Sequence, residues 1–181
     1  VVDTFGCENF IMPEMVSYTR TFENMLSSVE QAGCQTAYGV AGDTFTLGDA
    51  QLKLLWPTEG FDASDPNEIS LVLQVTYGEY SFLLTGDAGK DAEEGFLSQV
   101  QPVTVLKAGH HGSNTSSTEA FLQKAQPEYV VISVGAGNSY GHPSPAMLER
   151  LDENCQVLRT DEKGSIVFTV KEGELHVSTA R

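Results

Sequence analysis

The sequence is poor in cysteine, in basic side chains and in long apolar runs, and each shortage removes a class of protein. Cys7, Cys34 and Cys155 are the only cysteines in 181 residues. An odd number with no close pair supports neither a disulfide framework nor a zinc ribbon, and reads as isolated thiols in or near a core. Ten Lys and Arg stand against 25 Asp and Glu, a formal net charge of −15. Such a field repels phosphate backbones, so any contact with nucleic acid has to come from a local site. No apolar run approaches the ~20 residues of a membrane-spanning helix, and the opening residues lack the basic and apolar pattern of a leader. Internal repeats, low-complexity tracts and long linkers are missing too, which predicts one domain over residues 1–181. With 40% hydrophobic residues the chain can bury a core.

What is present reads as interleaved strands and helices. Residues 2–12 read as a short strand closing at Pro13. Phe22, Met25, Leu26 and Val29 recur at helical spacing within 19–32, and Gly33 stands where that helix would stop. Over 35–56 the apolar residues fall around Gly42-Asp43 and Gly48-Asp49, the pattern of strands joined by tight turns, and a polar loop covers 57–67. A hairpin follows, with strands at 70–76 and 80–85 across Gly78-Glu79, and its second strand delivers Asp87. Helices over 91–99, 118–125 and 145–154 then alternate with strands over 103–107, 129–134, 156–160 and 165–170, an α/β arrangement. The apolar faces of these strands predict a core of Trp56, Leu71, Leu73, Val75, Phe82, Leu84, Val105, Val131, Ile132 and Val134.

Three loops, each just past a predicted strand, hold the unusual polar residues: Thr85-Gly86-Asp87, Gly109-His110-His111-Gly112-Ser113 and Tyr140-Gly141-His142-Pro143-Ser144-Pro145. In α/β sheets such strand ends are where sites are built. The chain has four histidines; three fall here, among glycines that let backbone approach a ligand closely. Singly, each has a plainer reading: Asp87 as a turn residue, His110 and His111 as loop hydrogen-bonding groups, His142 as a helix-entry residue ahead of a Ser144 cap. Together they are better explained as one metal site, because imidazole and carboxylate suit zinc, manganese or iron.

In order and spacing, the Thr85-Gly86-Asp87 turn, the Lys107-Ala108-Gly109-His110-His111-Gly112-Ser113 loop and the Asn138-Ser139-Tyr140-Gly141-His142-Pro143 loop resemble the metallo-β-lactamase domains of ComEC-type competence proteins. The stretch 129–137 and the Arg159-Thr160-Asp161-Glu162-Lys163-Gly164 turn resemble them as well. The resemblance implies a metallo-β-lactamase αββα sandwich. It also implies N-terminal truncation, because the family's His-x-His-x-Asp-His cluster does not occur ahead of Thr85. By the same resemblance Asp87, His110, His111 and His142 are metal ligands, with the choice between His110 and His111 left open. The resemblance likewise implies that Asp87, His110 and His111 are catalytic and that Ser113, Asn138 and Tyr140 bind substrate.

The activity so implied is metal-dependent hydrolysis of DNA or another phosphodiester, with zinc or manganese as the divalent metal. Two to three ligands are expected to be absent from this chain, so metal binding should be weak or lost and the fragment inactive. Missing first-sheet strands should leave an apolar face and open strand edges, which predicts a homo-oligomer. The parent protein is expected to be extracytoplasmic or membrane-tethered in a bacterium, although this chain carries no transmembrane segment. Two rival readings stand beside this one. The fold could serve as a non-catalytic binding or assembly module, or it could be an ester or lactone hydrolase of the same superfamily.

Overall fold

Several strands in this chain are apolar on both faces, and the architecture follows from how each face is covered. The computed structural model describes residues 2–180. A single helical turn, α1 (Val2–Phe5), precedes β1 (Asn9–Met12). Helix α2 (Arg20–Gln31) begins at Thr19, whose hydroxyl accepts a hydrogen bond from the Phe22 amide, and gives way at Gly33 to β2 (Gln35–Tyr38). Next come β3 (Thr44–Leu47), β4 (Ala50–Trp56), β5 (Val72–Tyr77) and β6 (Tyr80–Leu84), then α3 (Lys90–Phe96), β7 (Val105–Lys107), α4 (Glu119–Ala125) and β8 (Tyr129–Ile132). The chain finishes with α5 (Pro145–Leu148), β9 (Gln156–Arg159), the short turn α6 (Thr160–Lys163), β10 (Ser165–Lys171) and β11 (Glu174–Ala180).

Strands β3 to β9 lie side by side in chain order as one seven-stranded sheet. Pairing is antiparallel from β3 to β6 and parallel from β6 to β9. The change falls where hairpin turns give way to helical crossovers, as parallel strands require. Two further pairs complete the strands: β1 with β2 in parallel across α2, and β10 with β11 as an antiparallel hairpin.

One face of the large sheet is buried under α3, α4 and α5. Val72, Leu83, Leu106, Val130 and Ile132 meet Phe96, Phe121, Leu122 and Met147 there, with the Phe96 and Phe121 rings edge to face. The opposite face is covered only at its two ends. At one end Gly39, just after β2, sits among Ile11, Leu54 and Leu71; at the other, Phe168 of β10 packs on Phe82 and Tyr129. Between them lies a groove of about 940 Å³ whose lining includes Ile11, Leu52, Leu71, Leu73, Leu84 and Lys107.

That groove corrects part of the expected core. Trp56, Val105 and Ile132 are buried as expected. Leu71, Leu73, Val75, Phe82, Val131 and Val134 are only half-buried, and Leu84 is exposed. The register explains it: Leu73, Val75, Phe82, Leu84 and Val131 share the face away from the helices, which is covered only at its ends. Other boundaries shift for local reasons. The expected first strand opens as the helical turn α1, and the helix expected over 145–154 ends at Leu148. Beyond it Asp152 folds back on Asn154 in an Asx turn that competes with helix. Strand β11 was not foreseen, since its residues are mostly exposed. Among the described residues no helix is long and apolar enough to cross a membrane.

Neighbouring leucines on opposite faces test this assignment. Leu83→Ala, at 1% exposure, should cost about 2–5 kcal/mol in urea unfolding, whereas Leu84→Ala should cost under about 1.5 kcal/mol. Equal losses would mean the groove is closed in solution.

Candidate functional site

Asp87, His110–His111 and His142 belong to three loops that leave neighbouring parallel strands at the same end, so the sheet itself delivers them to one place. Close packing brings the loops into contact. A Cβ added at Gly109 would stand 2.7 Å from the Ala88 carbonyl oxygen, and one at Gly112 would stand 2.8 Å from the Pro143 Cβ. Only glycine lets the histidine loop touch the Asp87 turn on one side and the His142 loop on the other. Hydrogen bonds seal both contacts: the His110 amide donates to Gly86 O at 3.2 Å, and the Ser144 amide to Gly112 O at 2.8 Å.

His110 and His111 themselves have left-handed backbones, φ 46° and 56°. Each such residue costs about 1–2 kcal/mol, and it persists only where the surroundings over-determine it. They do so here through a polar scaffold. Ser116 donates to Gly109 O at 2.7 Å, and the Arg150 guanidinium donates to the Ser116 and Asn114 carbonyls. The carboxylate of buried Glu93 accepts from the Ser117 and Thr118 amides, tying the far end of the loop to α3. Burial pushes Glu93 above the usual carboxylate range, against the pull of those hydrogen bonds.

Within the cluster, Asp87 Oδ1 and His111 Nε2 are 3.5 Å apart. His111 Nδ1 lies 2.7 Å from the Ser133 carbonyl, which can only accept, so Nδ1 carries a proton and Nε2 is the ring nitrogen that faces Asp87. Two ligands each about 2.1 Å from a tetrahedral ion would stand about 3.4 Å apart, so this pair fits one divalent metal. The carbonyl behind His111 is the kind of partner that fixes a ligating imidazole. The His110 ring centre is 6.4 Å from that of His111 and 5.8 Å from that of His142. His142 Nδ1 is buried without a hydrogen-bond partner. Burial first, then the neighbouring His110 and His111, pushes His142 below the usual imidazole range. Among the described residues, however, no three His, Cys, Asp or Glu side chains converge as they stand on a point that would hold an ion.

The three expected substrate positions separate. Tyr140 and Asn138 line a cavity of about 350 Å³ together with His111, His142, Ser133 and Thr160. Asn138 has no capacity left for a ligand. Its Oδ1 accepts from the Tyr140 and His142 amides and its Nδ2 donates to the Gly135 and His142 carbonyls, which makes it the strut of the loop. Ser113 is buried outside that lining, with its hydroxyl 3.0 Å from Thr115 Oγ1. Sequence reasoning missed Lys107. Its ammonium donates to Gly86 O at 2.8 Å and Ala108 O at 3.2 Å, bolting the Asp87 turn to the histidine loop. Burial lowers its proton affinity and Asp87 raises it. The signal was a lone cation closing an apolar strand in an acidic chain.

Two measurements check this construction. Gly109→Ala and Gly112→Ala should each lose about 1–3 kcal/mol in urea unfolding, by overpacking and, at Gly112, by left-handed strain as well. Gly135→Ala, where nothing lies within 4 Å, should be near neutral. Because the folded pKa of Glu93 is raised, the native state binds the extra proton. Its contribution is therefore full below 4.5 and is lost as pH rises through the raised value. The stability of the wild type relative to Glu93→Gln should fall over that interval, and a flat difference would remove Glu93 from the account.

Residues 58–136 match the family model described as the metallo-beta-lactamase superfamily. ComE operon protein 3 of Bacillus subtilis is 36% identical over 152 residues, 82% of this chain and 20% of that protein. Competence protein ComA of Neisseria gonorrhoeae is 38% identical over 133 residues, 71% of this chain and 19% of that protein. The chain thus spans about a fifth of the length of these relatives. Among solved structures, a mutant of CmlA beta-hydroxylase superposes with a TM-score of 0.54 at 12% identity, over 83% of this chain and 38% of that one, a likeness of fold alone. The strand-end loops, the matched family model and the competence-protein relatives together show that this chain carries a metallo-beta-lactamase superfamily domain of the kind found in those competence proteins.

Proposed function

We propose that this chain is part of a metal-dependent hydrolase whose substrate is a phosphodiester, with DNA as the substrate class. The observation that carries the reading is the facing pair of Asp87 Oδ1 and His111 Nε2 at metal-sharing distance, held by a strained loop. Zinc or manganese are the ions this donor set suits. A divalent ion bound there supplies Lewis-acid polarisation of a phosphoryl oxygen and activation of a water. The chain's own residues set the geometry. Ser133 O holds the His111 proton on Nδ1, Lys107 and Ser70 fix the turn that carries Asp87, and Asn138 fixes His142. His110 and His142, with His110's ring centre 6.4 Å from that of His111 and 5.8 Å from that of His142, join the ligand set in this reading only when the His-x-His-x-Asp-His segment is present. The competence relatives favour DNA over other esters.

Coordination number limits what the chain does alone. Two side chains fill half of a tetrahedral shell, and a catalytic site typically takes three protein ligands and a water. Calorimetric titration with Zn²⁺ or Mn²⁺ should therefore show weak binding, lost in Asp87→Ala. Hydrolysis of bis(p-nitrophenyl) phosphate should be negligible. Joining a segment that bears the family's His-x-His-x-Asp-His cluster should tighten binding and bring metal-dependent hydrolysis that Asp87→Ala and His142→Ala both abolish. Metal binding without any hydrolysis in the extended chain would favour a binding module instead.

A further inference from the structure

The cavity beside the histidines has a feature that ligand-holding side chains do not require. Tyr140 is 81% exposed, yet its ring has a neighbour. It stacks on His142 with ring centres 5.9 Å apart and planes 22° apart, and its amide is held by Asn138 Oδ1. Offset from His142 but nearly parallel to it, and with most of its surface in solvent, Tyr140 presents a flat aromatic face at the rim of a cavity that also contains Ser133, Thr160 and His111.

The surrounding charge says what kind of nucleic-acid contact this rim can make. Phosphate-led binding needs free cations. Here Arg159, next to Thr160, is spent on Asp161 and Glu162, Lys107 is spent on two carbonyls, and the chain carries a net charge of −15. A strand held at this site must gain its affinity from its bases, and stacking on an aromatic side chain tolerates any base.

Resting on the phosphodiester reading above, we infer that Tyr140 is a stacking platform for an unpaired nucleobase, seating it in the adjoining cavity and so selecting single-stranded over double-stranded substrate. In a duplex both faces of each base are already stacked on neighbours, so the platform gains nothing there. The phenol ring, and not its hydroxyl, does the work.

Fluorescence anisotropy with metal chelated tests this without depending on catalysis. The probes are a labelled oligothymidylate, the same length of abasic phosphodiester backbone, and a duplex. The wild type should bind oligothymidylate in preference to both others, with a salt slope shallower than about −1 in log–log form, as expected when one phosphate or fewer is neutralised. Tyr140→Ala should weaken oligothymidylate binding roughly 5- to 150-fold and leave the abasic strand unchanged, while Tyr140→Phe stays near wild type. Circular dichroism should show the same fold in all three, since an exposed ring supports no core. Equal binding of oligothymidylate and abasic strands, an equal loss in Tyr140→Phe, or no binding by the wild type would each overturn the inference. Base-dependent binding with no phosphodiester hydrolysis even after the His-x-His-x-Asp-His segment is joined would overturn the hydrolase reading alone. Hydrolysis without base dependence would overturn only the platform.

Discussion

The close approach of three strand-end loops at Gly109 and Gly112 is the constraint on which the rest of the site depends. Without a side chain at either position, the histidine loop lies against Ala88 on one side and Pro143 on the other. That contact brings a carboxylate from the end of β6 to within 3.5 Å of an imidazole from the end of β7. The cost is two consecutive histidines in left-handed conformation, about 1–2 kcal/mol each. Strain of that size is held by stronger bonds around it, and the loop is correspondingly tied down by Ser116, Arg150 and Glu93.

Those ties also explain why so much buried polarity surrounds a small cluster. Glu93 and Lys107 are charged groups in surroundings that disfavour charge, and each is retained because it satisfies backbone groups the loops leave open. Lys107 bonds the carbonyls of Gly86 and Ala108, and Glu93 accepts the first amides before α4. Neither needs to touch a substrate to matter, since a loop shifted by 1 Å would separate Asp87 from His111 beyond the reach of a shared ligand.

The two faces of the large sheet contrast in the same physical terms. Beneath the helices, aromatic and branched side chains interdigitate and exclude water. On the other face, the β1–β2 pair and the β10–β11 hairpin cover only the ends, and Leu71, Leu73 and Leu84 are left beside an open groove. A two-stranded parallel pair is a weak element, and β2 is exposed along its whole length. The order of elements, helices on one face of the large sheet and smaller strand pairs on the other, agrees with the metallo-β-lactamase fold.

Local chemistry made the order of elements and the three polar loops legible in the sequence. Period-two strands, the Gly78-Glu79 turn, the Gly33 helix stop and the clustering of three histidines after strands are all written within a few residues of each other. Faces were not legible. Leu83 and Leu84 are the same residue type side by side, and only the position of the helices decides that one is buried and the other exposed. The jobs of Asn138, Ser113 and Lys107 were equally hidden, because a side chain's hydrogen bonds depend on which loops the fold brings against it. Chain pattern by itself determined which residues could form a site. The tertiary structure decided which of them meet, because distances between loops are set by packing across the sheet and not by spacing along the chain.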